Sequence, residues 1–350
     1  MTKVRRQESY SRPVTRNDVA RYAGVSTAVV SYVINDGPKP VAAATAARVR
    51  RAIEVLGYRP NLSARALRSG STRMLALVVS DISNPFFADY ALRVQAEAGS
   101  HGYAVLMANA HGDPAIESQI VDDLIDRQAD GLILASVGVS PERARSIRQF
   151  GLSTVVIDAA TPVPGLASVG CDVAEGSRAV VEHLVTVHGH EQVAMVIGQG
   201  VPGADQREPG WLAATRAAGL RDGPIARRPF TREGGYQAAM HLIATRNPPR
   251  AIFASSDLQA VGVLRAVQSS GLRVPQDVAV VGFDGTAESE FTSPPLTVAL
   301  QPVREMALSA VRTVLSAATP NESHQTFPMS LVIRESCGCP AADRSVPDRT

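Results

Sequence analysis

The chain has 350 residues, 45% hydrophobic and 19% charged, with a formal net charge of +2 and three cysteines. That length predicts two or three domains with a sizeable core, and no run of about eighteen uncharged apolar residues marks a membrane helix. Three cysteines in so long a chain exclude a disulfide framework, and the leader MTKVRRQESYSRP lacks the apolar centre of a secretory signal, so a reducing, cytoplasmic setting is expected.

Charge is unevenly spread. Residues 1–73 hold 14 Lys or Arg against 4 acids, leaving 21 against 29 for the remainder. A basic head of +10 on an acidic body of −8 suits a head that binds a polyanion by itself.

Residues 1–13 read as a disordered leader. In VTRNDVARYAGVSTAVVSYVINDG, residues 14–37, an apolar helical pattern stops at Gly24 and restarts within two residues. Two short helices at a steep angle require such a break: Gly24 takes the left-handed conformation that ends the first, and Ser26 caps the second. Thr15 and Asp18 have the spacing of a capping box. Val19, Ala20 and Ala23 then face Val30, Val33 and Ile34, which leaves Thr27, Ala28, Ser31 and Tyr32 outside. This is the layout of a helix-turn-helix whose second helix enters a DNA major groove. A third helix follows in AAATAARVRRAIEVLGYRP, with Val49, Ile53 and Leu56 inward and Gly57 and Pro60 ending it. Residues 14–60 thus form a three-helix DNA-binding head.

Residues 61–73, NLSARALRSGSTR, read as a linker with a short hinge helix. Asn61 caps it, Leu62, Ala66 and Leu67 share a face, and Gly70 stops it. So short a helix is not stable alone and folds only when something supports it.

From residue 74 the pattern changes to apolar strands alternating with helices. MLALVVSD, YAVLMANA, DGLILAS and STVVID form one set; QVAMVIG, AIFASSD and DVAVVGFD form a second. Strands without polar alternation, separated by helices, predict parallel sheets covered on both faces. The fold class is therefore α + α/β: a helix-turn-helix head, a hinge helix, and a two-lobed doubly wound body over 74–336 with a ligand cleft at the strand ends. Asp81, Asp158, Arg207, Ser256, Asp257, Asp284 and Gln301 lie at or near those ends. Residues 337–350 read as a tail.

Three motifs are set aside. Gly198, Gly200 and Gly203 match a dinucleotide-binding glycine pattern, but Pro202 and the polar ADQREP intervene before any helix. His188 and His190 lie in a turn with no third metal ligand nearby in sequence, which favours a structural role. Cys337 and Cys339 are two thiols without sequence partners, read as part of a frayed tail, with a weak metal or redox role as the alternative. No metal, cofactor or catalytic constellation is expected.

The motifs DVARYAGVSTAVVSYVIN, GYRPN, ARAL, DISNPFF, ADGLIL, REPGW, SSDLQAVGVLRA, VAVVGFD and SLVIRES occur in order across residues 14–336. With this order and spacing, the chain resembles the lactose/galactose repressor (LacI/GalR) family of bacterial transcription regulators. The resemblance implies a repressor that binds a pseudo-palindromic double-stranded operator as a homodimer. It also implies a periplasmic-binding-protein-like body whose small-molecule effector, a sugar or related metabolite, changes DNA affinity. Implied DNA-binding residues are Thr15, Ser26, Thr27, Ala28, Ser31, Tyr32 and Asn35 in the head and Asn61, Ala64 and Leu67 in the linker, with Leu67 as a minor-groove wedge. Val29 replaces the family's usual Thr, and Tyr32 a frequent Arg, so Tyr32 has two readings: DNA contact or packing on the neighbouring helix. Implied ligand-binding residues are Phe86, Phe87, Asp158, Arg207, Phe230, Ser256, Asp284 and Gln301. Arg207 and Asp284 are the expected anchors, and Ser256 stands where relatives often have Asn. No leucine-repeat helix follows SLVIRES, so a dimer is expected rather than a tetramer.

A solute-binding module for a transporter would share the body but has no use for a basic helical head. An enzyme on the same body would need a nucleophile with its base, a metal cluster or a phosphate loop, none of which the sequence offers.

Overall fold

The structure is a computed structural model that describes residues 12, 14–35, 37, 39–59, 66, 70–135, 139–316 and 323–340. It divides into two units, one up to Thr72 and one from Arg73.

The first unit contains α1 (Arg16–Ala23), α2 (Thr27–Asn35) and α3 (Ala43–Leu56). Gly24, at φ 65°, ends α1 in the left-handed conformation, and the Val25 N–H returns to the Ala20 carbonyl at 3.0 Å. At the other end of α1 the Asp18 carboxylate accepts from the Thr15 N–H (2.9 Å) and hydroxyl (2.6 Å). Those two bonds, with Arg12 and Arg21 nearby, hold the Asp18 carboxyl below its ordinary range. The expected Ser26 cap is long, its Oγ accepting from the Val29 N–H at 3.4 Å. Val19, Ala20, Ala23, Val30, Val49 and Ala52 are buried together, with Val33, Ile34, Ile53 and Leu56 at the margin. Tyr58, just past the left-handed Gly57, completes this core.

Of the linker, Asn61, Ala64 and Leu67 lie outside the described residues. Ala66 is helical, and its carbonyl accepts from the N–H of Gly70, which has φ 67°.

The second unit opens with β1 (Met74–Val79), α4 (Pro85–Ser100), β2 (Ala104–Asn109), α5 (Pro114–Asp126), β3 (Gly131–Ala135), α6 (Pro141–Gln149), β4 (Ser153–Ile157) and β5 (Ala167–Cys171). It continues with α7 (Val173–Thr186), β6 (Ala194–Ile197), α8 (Arg207–Ala217), β7 (Ile225–Arg227), α9 (Arg232–Ile243), β8 (Ala251–Ala254), α10 (Asp257–Ser269) and β9 (Ala279–Asp284). The last elements are α11 (Glu288–Phe291), β10 (Thr297–Leu300), α12 (Val303–Leu315), β11 (His324–Phe327), β12 (Ser330–Val332) and a 3-10 turn, Glu335–Cys337. Among the described residues no helix is long and apolar enough to cross a membrane.

Two six-stranded sheets result, ordered β11-β5-β4-β3-β1-β2 and β12-β10-β9-β8-β6-β7. All pairings are parallel except β10 with β12. The strand interiors are buried apolar runs, as sheets covered on both faces require. The chain passes between the sheets three times: after Cys171, after Leu300 and between Phe327 and Ser330. α12 returns to pack on α4 and on β3, β4 and β5 of the first sheet. One apolar cluster runs through both lobes, from Leu75 and Ile133 to Phe253, Phe283 and Met306, and each lobe keeps a second cluster on its other face.

Candidate functional site

Parallel sheets present unpaired backbone and loop side chains at their carboxyl ends. Here β4 runs into Asp158, β5 ends in Cys171, β9 ends in Asp284, and β10 runs into Gln301. Gln301 joins the two sheets: its Nε2 donates to Asp284 Oδ1 at 2.8 Å, and its Oε1 accepts from the Cys171 thiol at 3.3 Å. Asp158 (φ 57°) and Asp284 (φ 99°) both hold left-handed backbone, which non-glycine residues adopt at a cost of order 1–3 kcal/mol. Strain of this kind persists where the surroundings fix a residue, and it gathers at ligand sites.

Arg207 opens α8 and carries the cleft's positive charge. Its Nη1 donates to Asp205 Oδ2 at 2.9 Å, and its Cζ sits 4.6 Å over the Phe283 ring and 5.5 Å over that of Phe230. Its buried Nε has no partner. Burial works against this cation, but Asp205, Asp284 and Asp158 together hold its pKa above the ordinary value. The carboxylates show the converse. Burial pushes Asp158 up to about 6 against the pull of Arg207, and pushes Asp284 up to about 7 against Arg207 and the Gln301 bond. Asp257, at the start of α10, is raised well above its ordinary range by burial and by Asp284; its Oδ2 accepts from the Thr286 N–H and hydroxyl, and its buried Oδ1 has no partner.

The other expected ligand residues take different places. Phe230 is 36% exposed, and its ring fits only because residue 198 is glycine: a Cβ there would lie 2.1 Å from the ring. Ser256 is buried and caps α10, its Oγ accepting from the Gln259 N–H at 3.2 Å. Phe86 and Phe87 are buried in the shared core, edge to face with centroids 5.0 Å apart. They reach the polar cluster through Tyr90, whose ring is 6.2 Å from that of Phe86. The Tyr90 hydroxyl is buried without a partner, and burial with the charge of Asp158 raises its pKa. Tyr90, Asp205 and Phe283 were not anticipated from the sequence. Asp81 is occupied locally, accepting from the Ser83 N–H and hydroxyl, both at 2.9 Å.

The glycine pattern at 198–203 does not open a helix. α8 begins only at Arg207, and the Gly203 N–H donates to Glu208 Oε2 at 2.8 Å, where a dinucleotide loop would leave it for phosphate.

On α2, Thr27 and Ala28 are exposed and Ser31 and Tyr32 half-buried. The Tyr32 ring lies over Gly37, where a Cβ would come within 2.5 Å of its Cδ1. Asn35 Nδ2 donates to the Ser31 carbonyl (3.0 Å) and Oγ (3.3 Å), and the Thr15 hydroxyl is given to Asp18.

Residues 15–61 match the profile of the bacterial regulatory proteins of the lacI family, and residues 181–337 that of a periplasmic binding protein-like domain. Catabolite control protein A of Priestia megaterium is 31% identical over 330 residues, covering 92% of this chain and 99% of its own. The ribose operon repressor of Escherichia coli K12 is 32% identical over 328 residues, covering 92% and 98%. Among solved structures, the lac repressor dimer bound to operator and the anti-inducer ONPF matches with a TM-score of 0.81 at 27% identity, covering 93% of this chain and 99% of that one. A LacI family transcriptional regulator from Lactobacillus casei with bound sucrose matches with a TM-score of 0.67 at 30% identity, covering 75% and 99%.

Proposed function

Because this chain belongs to the LacI family of bacterial transcription regulators and acts by ligand-responsive DNA binding, we propose that it is a homodimeric repressor whose effector is a neutral, polyhydroxylated molecule such as a sugar. The observation that carries the effector class is the environment of Arg207. One guanidinium with a spare Nε lies among Asp158, Asp205 and Asp284 and over the rings of Phe283 and Phe230. Carboxylates accept hydroxyl protons, the guanidinium donates to a ring or hydroxyl oxygen, and flat rings cover apolar C–H faces. Three carboxylates around one cation repel an added phosphate or carboxylate, so anionic relatives of the effector are excluded by charge.

In this reading Asp158, Arg207 and Asp284 orient the effector and Gln301 fixes Asp284. Phe230 closes one side, while Phe86 and Phe87 back the site from the core. Ser256 adds the hydroxyl proton that capping leaves free. In the head, Thr27, Ala28, Ser31 and Tyr32 face the bases of each half-site, and Thr15, Ser26 and Asn35 approach phosphates. Asn61, Ala64 and Leu67 serve the linker, Leu67 as the minor-groove wedge. An effector acts by its differential affinity for the DNA-competent and DNA-incompetent states.

The test uses full-length protein, a library of neutral and phosphorylated sugars, and operator mobility. Neutral compounds are expected to raise thermal stability and change operator affinity, and their phosphate esters are not. Arg207→Ala is expected to weaken the effector about ten- to hundredfold, since a charged hydrogen bond contributes about 1.5–3 kcal/mol, while leaving basal operator binding in place. Preferential binding of the phosphorylated compounds sinks the proposed effector class.

A further inference from the structure

In the sequence His188 and His190 lack a third metal ligand nearby, and Cys337 and Cys339 read as a frayed tail or a weak metal or redox pair. The fold leaves His190 aside and brings His183 and His188 to the two cysteines. Cys337 ends the 3-10 turn and is 1% exposed, and the 335–340 segment is held in the second lobe, where the Ser336 hydroxyl donates to the Val280 carbonyl at 2.6 Å. His183, in the last turn of α7, and His188, in the turn that follows, face these two cysteines. One ligand atom from each of the four residues lies within 4.8 Å of all the others.

We infer that His183, His188, Cys337 and Cys339 form a tetrahedral Cys2His2 zinc site that ties the 335–340 segment to the end of α7. A regular tetrahedron with Zn–N of about 2.0–2.1 Å and Zn–S of about 2.3 Å has edges of about 3.4 Å between nitrogens and about 3.5 Å between nitrogen and sulfur. The His183 and His188 Nε2 atoms are 3.3 Å apart. Cys337 Sγ and Cys339 Sγ are each 3.5 Å from His183 Nε2, and Cys339 Sγ is 3.4 Å from His188 Nε2.

Hydrogen bonding alone does not account for this grouping. His183 Nε2 carries either one proton or one lone pair, yet three polar atoms surround it at 3.3–3.5 Å. A cation at the centre satisfies all four groups at once. The Cys337 thiol, 3.2 Å from the Arg334 carbonyl, has a partner for its proton until metal displaces that proton. Loading therefore releases the two thiol protons to solvent, and two thiolates and two neutral imidazoles leave the zinc complex uncharged.

Gly338 stands between the two cysteines. Its φ of 112° lies in the region that favours glycine, and a Cβ there would press on the His188 ring at 3.2 Å. Thiolate with imidazole selects zinc over magnesium or calcium, and four protein ligands leave no open position, which marks a structural site. His183 and His188 precede β6, and Cys337 and Cys339 follow β12, which runs antiparallel to β10, so the cluster lies at the amino ends of the parallel strands of the second sheet, whereas Arg207 and Asp284 lie at the carboxyl ends. It thus lies apart from the effector cleft and does not depend on the function proposed for it.

The experiment strips full-length protein with a chelator, returns zinc or cobalt(II), and measures metal content, visible absorption and thermal melting. One zinc per chain is expected, with a higher melting temperature in its presence. Cobalt is expected to give the strong visible bands of a tetrahedral centre together with thiolate charge transfer. Cys339→Ser and His188→Gln alter the two less buried ligands and spare the buried Cys337. Each is expected to keep the fold, to abolish the cobalt bands and to lower zinc affinity by more than the roughly 10- to 100-fold of an outer-shell change. The site is refuted by protein that retains no zinc, by the pale spectrum of octahedral cobalt, by unchanged affinity in both variants, or by a Cys337–Cys339 disulfide in the mass of freshly purified protein.

Discussion

Asp158 and Asp284 carry carboxyl groups raised by burial to about 6 and about 7, against an ordinary value of 3.8. A carboxyl raised on folding stabilises the folded state below its unfolded value and loses that contribution as pH rises through its folded value. The body therefore loses stability from these two residues between about pH 4 and pH 7. Asp284→Asn, which stays neutral, is expected to gain melting temperature relative to the parent between pH 5 and pH 8; a constant difference would show that Asp284 does not titrate in this window. Effector hydroxyls donate to the ionised carboxylates, so effector affinity is expected to rise about tenfold over the same range, read by calorimetry. Asp158 and Asp284 stand out in the sequence as polar residues after apolar strands, where a doubly wound fold opens, whereas Arg207 and Gln301 are candidates through the family resemblance. Tyr90 and Phe283 are neither. Each falls inside an apolar stripe, Phe86-Phe87-Tyr90-Ala91-Val94 on α4 and VVGF on β9, and a pattern gives no sign that a buried ring also faces a cation or a carboxylate.

The break at Gly24 illustrates what an element owes to one backbone angle. A Cβ at Gly24 would meet nothing within 4 Å, so Gly24→Ala costs only the left-handed strain, about 1–2 kcal/mol. The expected outcome is a head that melts earlier and an operator affinity reduced several-fold, measured by calorimetry and DNA titration; unchanged melting would show that α1 ends for another reason. The helices of the head and seven of the body's strands could be read from periodicity. The remaining five, β5, β7, β10, β11 and β12, are only three to five residues long. HQTF of β11 is polar and partly exposed, and ASVGC of β5 carries serine and glycine, so neither shows the apolar run of a central strand. The grouping of His183 and His188 with Cys337 and Cys339 is not legible for a related reason: each pair is short and local, and only the return of the chain to the second lobe brings the pairs together.

Across the whole molecule the charge division between head and body makes salt a diagnostic. With +10 on residues 1–73, operator affinity is expected to fall about a thousandfold or more between 50 and 200 mM salt, while effector affinity for the neutral-ligand cleft changes little. Equal salt sensitivity in the two titrations would mean that the basic residues do not displace phosphate counterions. The three passages between sheets bear on how the body is made. Neither lobe is a continuous stretch of sequence: the edge strand β11 reaches the first sheet, and β12 the second, only after every other strand has been laid down. On the ribosome, the first sheet keeps one open edge along β5 until residue 327 has been synthesised, more than 150 residues after β5 itself. A growing chain with a bare parallel edge is prone to pair with its neighbours, so the period between translation of Cys171 and of Phe327 is when this protein most needs a chaperone's cover.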